Sequence, residues 1–485
     1  MPGDSIDRRL LDALREIVGP DGIVAAADQR LVYECDMLVY HKGMPDLVVL
    51  PRSTAEVLAV VRRCLEAGVP IIPRGSGTGL IGGATAPQGG VMIAVNRMDR
   101  VLEVDLRNRY AVVEPGVINL DLTRAVEGRG YFFAPDPSSQ MVSSIGGNAA
   151  TNAGGPHALK YGNVAHHVLG LEMVTGTGEV LTLGGAVADR PGYDLTGVAV
   201  GSEGTLGVVT KVVVKLTRAA AAVRTAVATF DSIEVASAAV SAIIAEGIVP
   251  AALEAMDEPI IRAVEAGVHA GYPTEAKAVL LVELDGPADE VEVQAEAVAR
   301  ICHDTGSLTM RVARDDAERA LLWKGRKEAA GAVGRITHNY VLQDAVVPRS
   351  KLPTIMAQIQ AIAARHGLVV ANVFHAGDGN LHPMICYDER VPGEFARALA
   401  ANGEILHACI ELGGTVTGEH GVGLDKAEEL ALLFTPDDLE VMHAVRRVFD
   451  PRGLMNPQKV FPSGQHACAP VSTGGGKPVP EGMCV

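Results

Sequence analysis

This chain has few of the features that would let it hold an iron–sulfur cluster, grip a polyanion or cross a bilayer. Its seven cysteines, at positions 35, 64, 302, 386, 409, 468 and 484, are scattered and never in Cys-x-x-Cys spacing. That excludes a cluster motif within the chain and points to a reducing compartment, so a cytoplasmic location is expected. Cationic charge is in deficit, with a formal net charge of −16, which argues against nucleic acid and against direct electrostatic docking on an anionic membrane. No apolar run reaches the length of a membrane span; the stretch from Ala219 to Phe230 is interrupted by Arg224. A signal-peptide pattern is missing as well. Residues 5 to 18 read instead as an amphipathic helix capped by Ser5 and ended by Gly19-Pro20.

Glycine, in contrast, is abundant and clustered. Pro73-Arg74-Gly75-Ser76-Gly77-Thr78-Gly79, followed by Gly82-Gly83, forms one loop. A second runs from Asp136 to Gly155 and includes Ser139, Gly146, Gly147, Asn148 and Asn152; a third is Gly201-Ser-Glu-Gly-Thr-Leu-Gly207. Such loops offer main-chain N–H groups, small hydroxyls and close backbone approach, which suits a long phosphorylated dinucleotide. Gly77-x-Gly79-x-x-Gly82 matches the Rossmann fingerprint letter for letter. That motif must open a helix, however, and Gly83, Pro87, Gly89 and Gly90 forbid one here. Glycines serving only as turns would explain one loop but not three.

At 485 residues, two or more domains are expected. A helical segment (1–42) precedes a strand-rich region (43–222) with a β-α-β start: a strand at 47–50, a helix from the Ser53 cap to Gly68 and a strand from Val69. The texture then changes to strands and helices in alternation (223–455), which suggests an antiparallel sheet backed by helices. A short return (456–462) and a Pro/Gly/Ser-rich tail (463–485), expected to be disordered, complete the chain.

Chemistry concentrates in the second half. Residues 369–387 read as two strands around a Gly-Asp-Gly-Asn turn, which places His375 and His382 side by side. A second tight turn carries Glu419 and His420. Two imidazoles and a carboxylate suit a divalent transition metal with open positions; a hydrogen-bonded polar cluster without metal fits the spacing equally. His420 is a candidate base, since imidazole titrates near neutrality. Arg326 offers a planar fork for a carboxylate, or else is a surface helix cation.

These motifs occur in an order that resembles the FAD-linked 2-hydroxyacid oxidoreductases of the vanillyl-alcohol oxidase/PCMH type, and within them the FAD-binding subunits of bacterial glycolate oxidase. The motifs are the first glycine loop, Asp-Pro-Ser-Ser-Gln with Ile-Gly-Gly-Asn, Gly-Ser-Glu-Gly-Thr-Leu-Gly, His-Ala-Gly-Asp-Gly-Asn-Leu-His, Gly-Glu-His-Gly-Val-Gly and Asn456-Pro-Gln-Lys459. The likeness spans about Tyr33 to Phe461. It implies an α+β fold, with a PCMH-type FAD-binding domain of two subdomains followed by a ferredoxin-like antiparallel cap. It also implies that the first loop lines the pyrophosphate. Pro135, Asp136, Ser139, Gly146, Gly147, Asn148, Asn152, Gly155, Tyr161, Gly162, Glu203, Val209 and Asn456 would surround the rest of FAD. His375, His382 and Glu419 match the family's metal positions (Zn, Mn or Fe) and His420 its base.

The first loop has no histidine for a covalent flavin link, so noncovalent FAD is expected. Glycolate oxidase subunits carry Phe-Pro where this chain has Ala330-Gly331, and Asp-Gly-Thr-Ile-Pro where it has Asp344-Ala-Val-Val-Pro348. The resemblance thus implies oxidation of a D-2-hydroxy acid of the glycolate or D-lactate class, with Arg326 holding the carboxylate. D-2-hydroxyglutarate dehydrogenation and a noncatalytic assembly subunit are the alternatives. An iron–sulfur subunit and a second flavin-domain subunit are the implied partners, and they would tie the protein peripherally to the inner membrane.

Overall fold

The computed structural model describes residues 6–188 and 192–463. Ser5, the expected first cap, lies outside them. Asp7 caps the helix Arg8–Val18 by accepting from the Leu10 N–H, and Leu10, Leu14 and Val18 bury its apolar stripe. The expected disordered tail, Ser463 apart, also lies outside the described residues.

Among the described residues three main sheets organise the chain. In the first, the strands Leu47–Val49, Val91–Ala94 and Ile71–Arg74 run parallel, with the short Ile23–Val24 antiparallel at one edge. The N-terminal segment therefore contributes a strand to this sheet. The connecting helix Thr54–Ala67 starts on the Ser53 hydroxyl and ends at Gly68 with φ 68°, in the left-handed region that glycine occupies without strain. No helix follows the first glycine loop, and Val91–Ala94 is a strand, as the sequence requires. The second sheet is antiparallel, in the order Val101–Asp105, Tyr110–Val113, Gly207–Lys215, Val168–Thr175 and Val180–Gly184.

The third sheet is antiparallel and larger. Its central strands are Ala222–Phe230, Ala278–Gly286, Ala252–Asp257 and Val369–His375, extended by the hairpin strand Pro383–Tyr387 and by Asn339–Leu342. Both faces are covered. Helices Ile233–Ala245, Ala288–Asp304, Leu352–Arg365 and Glu394–Glu411 pack on one face, around Phe230, Leu280 and Phe374. Helices Glu258–Glu265 and Asp316–Lys327 pack on the other, around Met256, Leu281 and Trp323. The C-terminal return closes the molecule. Met455 bridges Ile71 of the first sheet, and the Asn456 amide donates to the carbonyls of Gly83 and Glu203.

Candidate active site

The three glycine loops and the second face of the third sheet enclose one cavity of about 480 Å³. Its wall takes in Pro73 to Gly79 and Gly83 from the first loop, and Ser139, Gly146, Gly147 and Asn148 from the second. Glu203 and Val209 come from the third loop and its strand. Arg326, His375, His382, Glu419 and His420 line the far end. The small residues are required by contact. A Cβ on Gly75 would sit 2.4 Å from the Ser144 hydroxyl, and one on Gly146 would sit 2.5 Å from Pro115. Ser144 accepts from the Gly147 N–H and so starts a helix, Ile145–Thr151, where a loop was expected. The sequence Ile-Gly-Gly-Asn conceals it, because glycine is a poor helix former.

Eight expected cofactor residues stand behind this wall, not in it. Asn456 ties two loops together, as described above. Gly82 packs on His41 and Leu424, and Gly162 on His166. Gly155 passes within contact of the Asp136 backbone, while Asn152 takes a left-handed turn at φ 53°. The Pro135 carbonyl accepts from Asn119. Tyr161 donates its hydroxyl to Asp285 of the third sheet. Asp136 is 2.9 Å from His157 Nδ1 and 3.7 Å from Lys327 Nζ, so its carboxylate faces the third-sheet region.

The imidazole-lined end of the cavity is built on the hairpin. The rings of His375 and His382 lie 5.1 Å apart, and Nε2 of each approaches Glu419 Oε1, at 3.1 and 3.0 Å. Burial would raise the Glu419 carboxyl, but the two imidazoles outweigh it and hold it ionised. For His375, burial disfavours charge, yet the carboxylates of Glu254 and Glu419 raise its pKa. Nδ1 of His382 and Oε2 of Glu419 are buried without a hydrogen-bond partner, and Nε2 of His382 has only its contact with Glu419 Oε1. Two imidazoles, a carboxylate and unspent lone pairs fit a divalent transition metal with open positions. The cofactor wall passes a similar test, since Ser76 Oγ and Asn148 Nδ2 are buried and unpartnered beside the glycine backbone.

His420 stacks on His382, with centroids 5.0 Å apart and planes 9° apart. Burial lowers its pKa to about 4, so the imidazole is neutral and able to accept a proton. Its loop is held by two buried carboxylates that sequence reasoning passed over or assigned elsewhere. Asp344 accepts from the backbone N–H groups of Gly418, Glu419 and His420 and from the Thr417 hydroxyl. Burial opposes its charge, but the Lys426 ammonium, 3.6 Å away, and these N–H and hydroxyl donors hold its carboxyl well below the usual range. Glu203, expected on the cofactor, also accepts from the N–H groups of Val422 and Gly423 at 2.7 and 2.8 Å; burial raises its pKa to about 7. Arg326 is not a surface cation: it is 4% exposed in the last turn of its helix and pairs with Glu254. Glu254, Asp344, Asp36 and Tyr340 are among the polar groups at or near this site that the sequence reading missed.

Two family profiles cover most of the chain: "FAD binding domain" over residues 45–184 and "FAD linked oxidases, C-terminal domain" over residues 219–460. Among curated proteins, the chain is 46% identical over 465 residues to the glycolate oxidase subunit GlcD of Escherichia coli K12, covering 96% of this chain and 93% of that protein. It is 42% identical to GlcD of Bacillus subtilis, over 94% and 97% of the two chains. To the D-lactate dehydrogenase of Anaerostipes hadrus it is 34% identical, over 88% and 91%. Among solved structures, p-cresol methylhydroxylase with substrate bound superposes with a TM-score of 0.78 at 18% identity, over 93% of this chain and 96% of that one. That likeness carries the fold alone. No helix among the described residues is long and apolar enough to cross a membrane. The family profiles and this extent of identity place the chain in the family of FAD-linked 2-hydroxyacid oxidoreductases, with a fold of the p-cresol methylhydroxylase type.

Proposed function

We propose that the protein oxidises a short D-2-hydroxy acid, of the glycolate or D-lactate class, to the corresponding 2-oxo acid. One observation carries the reading: a cavity walled by three glycine loops ends on Arg326, His375, His382, Glu419 and His420. When bound, noncovalent FAD supplies the hydride acceptor, and a divalent metal on His375, His382 and Glu419 supplies Lewis-acid polarisation of the substrate hydroxyl.

The chain's own residues do the rest. Arg326 spends part of its guanidinium on Glu254, while its buried Nε has no partner. That unspent N–H donor suits the substrate carboxylate. Neutral His420 takes the hydroxyl proton, and its backbone N–H is fixed on Asp344. Ala330 and Gly331 line the cavity, and a Cβ on Gly331 would meet nothing within 4 Å. This open wall accommodates a methyl-bearing substrate as readily as glycolate. Onward electron transfer falls to partners, an iron–sulfur subunit and a second flavin-domain subunit, because this chain has no cluster motif. A cytoplasmic position at the inner membrane follows from such partners. The chemical test is anaerobic titration with D-lactate and glycolate. The flavin of the wild type should bleach, and that of His420→Ala should stay oxidised in a folded, yellow protein. A wild type bleached by neither acid, or a His420→Ala variant bleached at the wild-type rate, would refute the assignment.

A further inference from the structure

We infer that Glu254 is a positioning residue that serves the substrate anchor and the metal-binding end at once. The inference rests on the function proposed above. Glu254 and His375 stand directly opposite each other on adjacent antiparallel strands, so both side chains leave the sheet on the same face. Both Glu254 oxygens are 2.9 Å from His375 Nδ1. Oε2 also pairs with Arg326 Nη2, and that same Nη2 lies 3.4 Å from His375 Nδ1. Glu254 is 0% exposed.

A carboxylate with no access to water is tolerable only if its partners are well placed. Here those partners are two of the groups that must be aimed into the cavity. Accepting from Nδ1 fixes the imidazole so that Nε2 points at Glu419, 3.1 Å away, the arrangement that orients a metal-ligating histidine and raises its basicity. Holding Nη2 of Arg326 stops the fork from rotating and leaves Nε for the substrate. An amide does both only weakly. Its neutral oxygen could stand where Oε2 does and meet both donors, but its NH₂ would then face Nδ1–H, where Oε1 now accepts at 2.9 Å.

The test is Glu254→Gln, with Glu254→Asp as a second variant that keeps the charge but retracts it by one methylene. Each is purified with FAD bound. Zn²⁺ affinity is measured by chelator competition, and KM and kcat for D-lactate are measured at saturating Zn²⁺. Glu254→Gln should bind Zn²⁺ about 10–100-fold more weakly, the usual scale for a group supporting a metal ligand. Its KM for D-lactate should rise by about tenfold or more, with a smaller fall in kcat. Glu254→Asp should recover part of the Zn²⁺ affinity, because charge is retained. If Glu254→Gln does not fold with flavin, Glu254→Asp carries the test, with both Zn²⁺ affinity and KM still impaired. A folded variant with wild-type Zn²⁺ affinity and KM overturns the inference alone. A wild type that neither binds Zn²⁺ nor is bleached by hydroxy acids overturns the function on which it rests.

Discussion

Replacing His157 by glutamine removes a cation from between two carboxylates, one in the second glycine loop and one in the third sheet. Its Nδ1 lies 2.9 Å from Asp136 Oδ2, in the second glycine loop, and its Nε2 lies 3.3 Å from Glu283 Oε1, in the third sheet. The ring also stacks on Trp323, whose indole N–H donates to Glu283 at 2.6 Å. Burial opposes protonation of His157, but Asp136 and Glu283 outweigh it and raise the pKa from 6.5 to about 10. A shift of that size corresponds to at most about 5 kcal/mol. The ring is 21% exposed, and Glu283 would keep Arg319, Trp323 and Thr225, so the loss near neutrality should be about 2–3 kcal/mol. That is a thermal midpoint lower by about 2–3 °C for a chain of this length. Because the folded pKa is raised, the contribution is fully present below about pH 6.5. It declines as pH rises through the interval between the two values and vanishes as pH passes 10. Thermal melts of the FAD-loaded wild type and His157→Gln, compared from pH 6 to 10, isolate this term. Groups that titrate equally in both proteins cancel in the difference. An unchanged midpoint at pH 7, or a deficit as large at pH 10 as at pH 6.5, would refute the reasoning. Since Trp323 and Arg326 share one helix, the KM for substrate should rise several-fold in the same variant.

Three further outcomes follow from the geometry. Gly75→Ala forces a Cβ to within 2.4 Å of Ser144 Oγ and should weaken FAD binding by about tenfold or more, read from the flavin-to-protein ratio after dilution. Asp344→Asn replaces a carboxylate that accepts three backbone N–H groups and a hydroxyl, so about 3 kcal/mol of stability should be lost. Turnover should fall by about 100-fold as His420 loses its alignment, and steady-state kinetics together with a melt check both effects. Ala330→Phe fills part of the open wall and should move the kcat/KM ratio from D-lactate towards glycolate by about tenfold, the scale of one methyl in a pocket. A substrate panel decides it.

Most of the frame was legible because it depends on periodicity and punctuation. Alternating strands, the Ser53 cap and the Gly-Asp-Gly-Asn turn all fall where their local chemistry requires. The pairing of His375 with His382 followed from the hairpin alone. Three features were not legible. The short helix Ile145–Thr151 is hidden by its glycines, and it forms because Ser144 caps it and because Ile145 and Ala149 are buried. The side-chain partners of Asp136 and Tyr161, which likeness places at the cofactor, are His157 in the same loop region and Asp285 on the third sheet. Chain order cannot reveal a partner 21 or 124 residues away.

Glu254 shows why a lone acid is the hardest residue to read. In Ala252-Leu-Glu-Ala-Met-Asp257, alternation would send it to solvent opposite the apolar positions. That rule assumes a sheet with one wet face, and here helices cover both faces, so every residue of the strand is buried. An ionised side chain at such a position must have been supplied with donors by another element. Asp344 and Glu283 obey the same logic, being fully buried or nearly so and saturated by amides, hydroxyls or cations. The signal in each case is an acid inside a strand, or beside one, that the fold covers on both sides. It becomes readable only once the layers are known. The residues that hold this site in place are therefore found by asking where buried carboxylates obtain their donors, and here the donors are the arginine, the imidazole and the turn on which the proposed chemistry depends.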